Sequence, residues 1–259
     1  MVDDTHDRSG KRRPRPPSGG APRRSSRPRP APSDAIREPR DGPVIPPGVD
    51  ARQLAPEIRR ELSTLDRATA DAVARHLVAA GELLDEDPEA ALSHARAARA
   101  RSSRIAVVRE AVGIAAYRCG DWAQALAELR AARRMGSRSS LLALIADCER
   151  GLGRPLRAIE LARGPEAAQL SGDDADELRI VAAGARADLG QLEQALTVLS
   201  TPQLDPARTG STAARLFYAY AETLLSLGRR DEALHWFLRA ADADLDGITD
   251  AEDRVAELG

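Results

Sequence analysis

The sequence predicts an all-α protein, a stack of antiparallel helix pairs that follows a disordered N-terminal tail. After Asp50, apolar residues recur with the 3.6-residue period of a helix and do not alternate as in a strand. Hydrophobic residues make up 42% of the chain but aromatic residues only 3%, which is typical of helices packed through Ala and Leu. A motif of small and large residues also recurs with a period of about 35 residues.

The first fifty residues differ in composition from the rest of the chain. Residues 8–30 contain eight Arg and one Lys, no acidic residue, and many Pro, Ser and Gly. Ordering a residue costs about 1–2 kcal/mol in backbone entropy, and this stretch has no apolar face to offset that cost. We therefore expect residues 1–50 to be a disordered tail and linker. Since the whole chain has a formal charge of −2, the part outside the basic stretch is acidic.

The repeated motif is centred on a turn that ends one helix and starts the next. An alanine lies five residues after each turn and is followed by a large aliphatic residue, while an alanine or glycine lies seven residues before the turn. Small residues on facing sides let two helix axes approach closely. The pattern therefore predicts helix pairs that stack on one another. The five turns are at Glu86, Gly120, Gly153, Gly190 and Gly228.

Prolines indicate where individual helices begin and end. Pro88 and Pro155 closely follow their turns and suit the first position of a helix, where a missing N–H leaves nothing unsatisfied. Pro165 and Pro202 instead fall in the second helix of the third and fourth copies of the motif. We therefore expect these two helices to be short and their connections long.

The period and the small/large pattern resemble the tetratricopeptide repeat over residues 66–244. The copy that matches best contains Val112-Gly113, Tyr117, the turn Gly120-Asp121-Trp122, and Ala125-Leu126. The resemblance implies about five repeats in a right-handed superhelix, which we assign to residues 51–245. It also implies a concave groove, lined by the first helix of each pair, that binds an extended peptide or a helix of another protein.

The resemblance also implies which residues line that groove, although an ordinary solvated helix face is the alternative for each of them. The two tyrosines are the better candidates, because Tyr is enriched among binding hot spots. One subtype of the family grips a C-terminal carboxylate with Lys and Asn, and this mode is not expected here because Asn is absent and the one Lys is Lys11. The candidates are His76, Glu110, Tyr117, Arg118, Asp147, Arg150, Tyr218 and Glu222.

Residues 242–253 match the spacing of a calcium-binding loop, with oxygen donors at alternate positions. The match is weakened by Asp253 at the twelfth position, where such loops use a Glu that binds through both oxygens. We favour a structural interpretation in which Gly247 stops a helix and Thr249 and Glu252 form a capping box. A final capping helix is then expected within residues 246–259, and no metal site is predicted.

Catalysis finds no support in the sequence. The histidines at positions 6, 76, 94 and 235 lack metal-ligand spacing, and no Gly-rich phosphate loop or nucleophile motif is present. We therefore predict a protein that is not an enzyme and that uses no cofactor or small-molecule substrate. The scarcity of Lys and Asn indicates a GC-rich genome of the actinobacterial type, which weakens Arg-richness as an argument for function.

The leading interpretation is an adaptor that binds a protein or peptide partner. The alternative is a nucleic-acid-associated factor whose basic residues 8–30 contact the phosphates of RNA or DNA. No apolar run is long enough to cross a bilayer. The two cysteines, Cys119 and Cys148, lack the spacing of a zinc site or a disulfide framework, which favours a reduced, cytoplasmic protein.

Overall fold

A computed structural model describes residues 42–137 and 140–259. This part of the chain folds into twelve α-helices and no β-strand, so the predicted all-α class is confirmed. The basic residues 8–30 lie outside the described residues. The helices are α1 (Pro56–Leu62), α2 (Arg67–Glu82), α3 (Pro88–Arg101), α4 (Ala106–Arg118), α5 (Trp122–Arg134), α6 (Leu142–Gly151), α7 (Pro155–Ala162), α8 (Gly172–Ala187), α9 (Leu192–Leu199), α10 (Ser211–Ser226), α11 (Arg230–Ala243) and α12 (Ala251–Leu258).

Consecutive helices from α2 to α11 pack as pairs: α2 with α3, α4 with α5, α6 with α7, α8 with α9, and α10 with α11. In the last four pairs, a glycine with φ between 72° and 76° follows the first helix. Glycine adopts this left-handed conformation at little cost. The next residue then bonds back to the helix, as Asp121 N–H does to the Ala116 carbonyl at 2.9 Å. The turn reverses the chain, and the second helix begins at the following residue.

The small residues of the motif lie where the helices touch. The alanine five residues after each turn is fully buried in every pair. Seven residues before a turn, Gly113 on α4 faces α5 so closely that an added Cβ would stand 2.7 Å from the Leu129 side chain. The predicted register of small residues at helix contacts is confirmed. The buried alanines are Ala91, Ala125, Ala158, Ala195 and Ala233.

The second helices of the third and fourth pairs are short, as predicted. Helices α7 and α9 have 8 residues each, whereas α3, α5 and α11 have 14, 13 and 14. Pro165 and Pro202 lie just beyond the ends of α7 and α9, and the residue before a proline disfavours the helical conformation. Residues 163–171 and 200–210 then connect to the next pair.

The first helices of neighbouring pairs lie beside one another. Helix α2 contacts α4, α6 contacts α8, and α8 contacts α10, while each second helix packs against the first helix that follows it. We call the outer surface of α2, α4, α6, α8 and α10 the first-helix face. This arrangement fits the fold expected from the sequence.

Buried carboxylates join successive pairs. Glu128 on α5 is 5% exposed and forms an ion pair with Arg99 of α3, whose Nε is 3.0 Å away. Glu149 on α6 is 2% exposed and accepts from Arg130 of α5 at 2.5 Å. Removing the arginine of such a pair takes compensating charge away from a buried carboxylate. The ion pair between Arg130 and Glu149 therefore fixes how the third pair sits on the second.

The chain before α1 packs on the first pair from Gly42 onward, so the expectation of a disordered linker is wrong for residues 42–50. An added Cβ on Gly42 would stand 2.7 Å from the Cβ of Ala97 and 3.7 Å from the ring of His76. Gly42 also has a φ of 71°, which favours glycine. Asp50 accepts a hydrogen bond from the Arg52 backbone N–H at 2.8 Å and caps a 3₁₀ turn.

The C-terminal turn differs from the predicted capping box. Helix α11 ends at Ala243, ahead of Gly247, and α12 begins only at Ala251. Thr249 does not cap α12, because its backbone N–H and its hydroxyl both donate to the Asp244 carboxylate, at 2.7 and 2.6 Å. The final helix is present, but the capping-box prediction is wrong because Asp244 uses the Thr249 hydroxyl to close the loop.

The carboxylates of this loop do not face a common centre. Asp244 is occupied by Thr249, while Asp246 accepts a hydrogen bond from the Ser211 hydroxyl at 2.8 Å. Asp242 lies on α11 and is 4.0 Å from Arg239. Within the described residues, no three side chains of the metal-binding types come together. In the same part of the chain, no helix combines the length and the apolar character needed to cross a membrane.

Candidate functional site

A row of hydrogen-bonded side chains crosses the first-helix face from the second to the fourth pair. The Tyr117 hydroxyl on α4 donates to the Asp147 carboxylate on α6 at 2.5 Å. Asp147 also accepts from Arg150, whose Nη1 is 2.9 Å away. The Nε of Arg150 donates to Asp188, which follows α8, at 2.6 Å. We call Tyr117, Asp147, Arg150 and Asp188 the polar row.

Two glycines make room for the side chains that cross between helices here. An added Cβ on Gly184 of α8 would stand 3.1 Å from the guanidinium carbon of Arg150. An added Cβ on Gly151 of α6 would stand 2.6 Å from the ring of Trp122. The side chains of Arg150 and Trp122 therefore lie directly against the backbone of the neighbouring helix.

The polar row borders an open cavity of about 520 Å³, which lies within the range of roughly 300–1,000 Å³ found for ligand pockets. Its walls include the Trp122 ring, Arg150, and the carboxylates of Asp147 and Asp188. The cavity thus offers both signs of charge beside an aromatic surface. Such a surface can bind polar main-chain groups and an apolar side chain at the same time.

The electrostatics of the row keep its groups in their hydrogen-bonding forms. Burial raises the pKa of Tyr117, and the hydrogen bond to Asp147 raises it further, so the phenol stays protonated and donates. Burial alone would lower the pKa of Arg150, but its hydrogen bonds to Asp188 and Asp147 outweigh that effect and raise it. The row is consequently fixed in one arrangement of donors and acceptors near neutral pH.

The other expected groove residues lie at several places. Arg118 is exposed and forms an ion pair with Asp85, which follows α2. Tyr218 on α10 packs edge-on against Phe237, with ring centroids 5.3 Å apart. Glu222, one turn further along α10, accepts from Arg254 of α12 at 2.6 Å.

Glu110 lies near the start of α4, away from the polar row. It accepts a hydrogen bond from the Ser137 hydroxyl at 2.7 Å. Together with Ile58 and Val107 it lines a separate cavity of about 390 Å³ next to α1. Of the eight expected residues, only Tyr117, Asp147 and Arg150 are brought into one hydrogen-bonded group.

His76 does not face a groove, and its expected role is corrected. The residue is 2% exposed, and its Nδ1 lies 3.0 Å from the Nδ1 of His94, which is also buried. One imidazole must donate and the other accept in this contact. The side chain is inaccessible to a partner because it packs against the second helix of its pair and is covered by Gly42.

Trp122 and Asp188 belong to the site but are not among the residues expected from the sequence. Both lie at turns, whereas the resemblance to the repeat family assigns the groove to the first helices alone. The repeat spacing indicates that Asp188 can reach Arg150, since the two residues are 38 positions apart, about one repeat. A side chain near the end of one first helix reaches the corresponding end of the next.

No family model matches the chain, and no curated protein matches it significantly. Among solved structures, the chain is similar to the crystal structure of YrrB, a TPR protein with an unusual peptide-binding site. The two share 20% sequence identity with a TM-score of 0.45, and the match covers 76% of this chain and 97% of that one.

Proposed function

We propose that this chain is a non-enzymatic scaffold that binds a protein or peptide on its first-helix face. The observation that carries the proposal is the polar row beside its open cavity. The row places two carboxylates, one guanidinium and a nearby aromatic ring on rigid helices, so a partner would meet an already ordered surface. Preorganisation of this kind lowers the entropic cost of binding. Arg118, Glu110, Tyr218 and Glu222 are proposed as flanking contacts.

An extended peptide suits the polar row for a stereochemical reason. Its backbone N–H groups can donate to Asp147 and Asp188, which accept through several lone pairs. Within the described part of the chain, Arg150 uses Nε and Nη1 for these carboxylates, which leaves Nη2 to donate to a peptide carbonyl. The half-buried Trp122 ring can cover an apolar side chain of the same peptide.

We place the scaffold in the cytoplasm. Cys119 and Cys148 form no disulfide with each other. Burial raises the pKa of Cys148 to about 12, so its thiol stays protonated and packs as a small apolar group. Such a thiol suits a reducing compartment, where it needs no partner.

Selection from a random peptide library on the immobilised full chain tests the proposal. We expect enriched peptides to bind Arg150→Gln at least about tenfold more weakly than the wild type, as measured by fluorescence polarisation. Asp188→Asn, which keeps the shape of the side chain, provides a second variant if Arg150→Gln folds poorly.

Arg239→Gln is the matched control for this selection. Arg239 is a half-exposed arginine on α11 whose acidic neighbour is 4.0 Å away, and it lies outside the polar row. Peptides should bind this variant as they bind the wild type. Equal binding to the wild type and to both polar-row variants would refute the proposed site, and so would the failure of any peptide to enrich.

The nine positive charges of residues 8–30, free of acidic residues, keep a second candidate function open. If these residues bind RNA or DNA, deletion of residues 1–41 should abolish that binding. The logarithm of the binding constant of the full chain should also fall linearly with the logarithm of salt concentration. The deletion stops at residue 41 because residues 42–50 pack on the first pair. Nucleic-acid binding that persists after the deletion would exclude this role for the tail.

A further inference from the structure

A second cavity, of about 320 Å³, lies between the third and fourth pairs and shares no lining residue with the cavity at the polar row. Helices α7, α8 and α9 and the turn at residues 167–169 surround it. Its walls are largely apolar and include Ile159, Leu178 and Val198. Among the described residues that line it, the charged ones are three arginines, with no carboxylate. The cavity therefore combines apolar walls with positively charged side chains.

The cavity lies beyond the end of the short helix α7. Helices α5 and α7 both begin two residues after their turn glycines, but α5 continues for 13 residues and α7 for only 8. Pro165 prevents α7 from continuing. The flank of α8 beyond the end of α7 is left open, and residues of the connection to α8 line this opening: Arg163, Gly164, Ala167 and Ala168.

At the preceding interface, an ion pair occupies the corresponding position, beside a cavity of about 280 Å³ that both of its members line. Glu149 stands four residues before the turn glycine Gly153. Its partner Arg130 stands ten residues after the previous turn glycine, Gly120, and their closest atoms are 2.5 Å apart. The pair therefore links a second helix to the first helix that follows.

The same two positions at the next interface are both arginine. Arg186 stands four residues before Gly190, and Arg163 stands ten residues after Gly153. The backbone supports this equivalence, because Gln191 N–H donates to the Arg186 carbonyl at 2.9 Å, as the residue after Gly153 does to Glu149. Both arginines line the cavity. The carboxylate of the preceding interface is thus replaced by a second positive charge.

Arg186 is a buried cation without a counter-ion in the described part of the chain. It is 9% exposed, and its Nη1 donates to the neutral side-chain oxygen of Gln191 at 2.8 Å. By contrast Arg179, the third arginine of the cavity, pairs with Asp176 at 2.6 Å. A buried charge that lacks an opposite charge is unfavourable. A bound anion would relieve that cost.

We propose that this cavity binds a small free carboxylic acid, ionised, with a compact apolar group. Its carboxylate lies between Arg186 and Arg163 and takes the place that Glu149 has at the preceding interface. Arginine pairs with carboxylates through parallel N–H···O bonds. The apolar group packs on Ile159, Leu178 and Val198. Because the cavity is near the lower end of the range of ligand pockets, the ligand is a small molecule.

Isothermal titration calorimetry of the full chain with isocaproate tests the ligand class. We expect saturable binding of isocaproate and binding of isocaproamide, which has the same shape without the charge, at least about tenfold weaker. Equal binding of acid and amide, or no binding of the acid, would overturn the proposal. A peptide with a C-terminal leucine tests the other source of this chemistry. If the peptide binds more tightly than isocaproate and its amidated form does not, the assignment to a free acid is wrong.

Substitutions at Arg186 test the location. Arg186→Glu reproduces with Arg163 the ion pair of the preceding interface, so the variant should melt no lower than the wild type and should lose isocaproate binding. Arg186→Gln should bind at least about tenfold more weakly. Arg157→Gln is the control, since Arg157 is an exposed arginine of α7 outside the cavity and should leave binding unchanged. Undiminished isocaproate binding by Arg186→Glu or Arg186→Gln would show that the site is elsewhere.

Discussion

Two neighbouring interfaces share one register, the one between the second and third helix pairs and the one between the third and fourth. They differ in the charges of the side chains at equivalent positions. At the first, the longer α5 packs along α6, and Arg130 forms an ion pair with the buried Glu149. At the second, α7 ends early, and Arg163 and Arg186 line a cavity. Both interfaces hold a cavity, of about 280 and 320 Å³, so the comparison shows that one reversal of charge can turn an interface neutralised by its own ion pair into a potential ligand site while the surrounding turns stay the same.

The largest expected effect distinguishes the two interfaces by their charges. Arg130→Gln leaves the buried Glu149 carboxylate with the more distant Arg154, 3.4 Å away, as its ionic partner and should lower the free energy of unfolding by about 1–3 kcal/mol. Arg186→Gln removes a buried charge that has no counter-ion, so it should be neutral or stabilising. Guanidinium denaturation measured by circular dichroism gives both values. Similar losses in the two variants would mean that Arg186 is compensated in a way that the comparison misses.

One substitution made in both regions tests their packing. Ala125 is fully buried between α4 and its partner helix, so Ala125→Leu should cost about 1–3 kcal/mol through overpacking. Ala182 lines the cavity, so Ala182→Leu should fill open space and cost less than about 1 kcal/mol. Ala127→Leu, at an exposed position of α5, controls for the effect of the new side chain itself. Thermal melts that rank Ala182→Leu as the most damaging would contradict the assignment of the cavity.

The first pair provides a smaller, pH-dependent contrast. Burial lowers the pKa of His76 to about 4, with further contributions from the positive charges of Arg101 and Arg75 and from the repulsion that a protonated His94 would exert. Burial lowers the pKa of His94 as well. The unfolded chain therefore binds protons more readily than the folded chain below pH 6.5, the ordinary value for histidine. Stability should be complete above that pH and should decrease as the pH falls towards 4.

We expect a loss of about 1–2 kcal/mol between pH 7 and pH 5, measured by urea denaturation. His76→Gln should show a smaller loss over the same range, because it removes the group with the largest shift. A wild-type chain whose stability is independent of pH in this window would contradict the buried, neutral state of the two imidazoles.

The fold could be predicted because its determinants are local and repeated. The turn glycines and buried alanines such as Ala125 recur at fixed distances, so each copy of the motif supports the others. The short α7 was likewise predictable from Pro165, since the effect of proline on a helix extends over only a few residues. Part of the polar row could also be predicted, because Tyr117, Asp147 and Arg150 lie on first helices, where the repeat pattern places the groove.

The remaining features depend on contacts between distant residues. His76 is buried because Gly42 packs over its pair, and the Pro- and Gly-rich sequence around Gly42 gives no sign of packing. Thr249 could have capped α12, but the Asp244 carboxylate takes its hydroxyl. That Arg163 and Arg186 occupy the positions of Arg130 and Glu149 becomes visible only when two interfaces are compared position by position. A single repeat does not contain that information.

A double-mutant cycle on Arg163 and Arg186 tests most directly the claim that the two arginines share one gap. In the wild-type background, Arg186→Glu should raise the free energy of unfolding by at least about 0.5 kcal/mol relative to the same substitution in an Arg163→Gln background. That coupling is expected because the new carboxylate would pair with Arg163 as Glu149 pairs with Arg130. An effect of Arg186→Glu that is the same in both backgrounds would show that the two side chains do not face each other, and the comparison of the two interfaces would then be wrong.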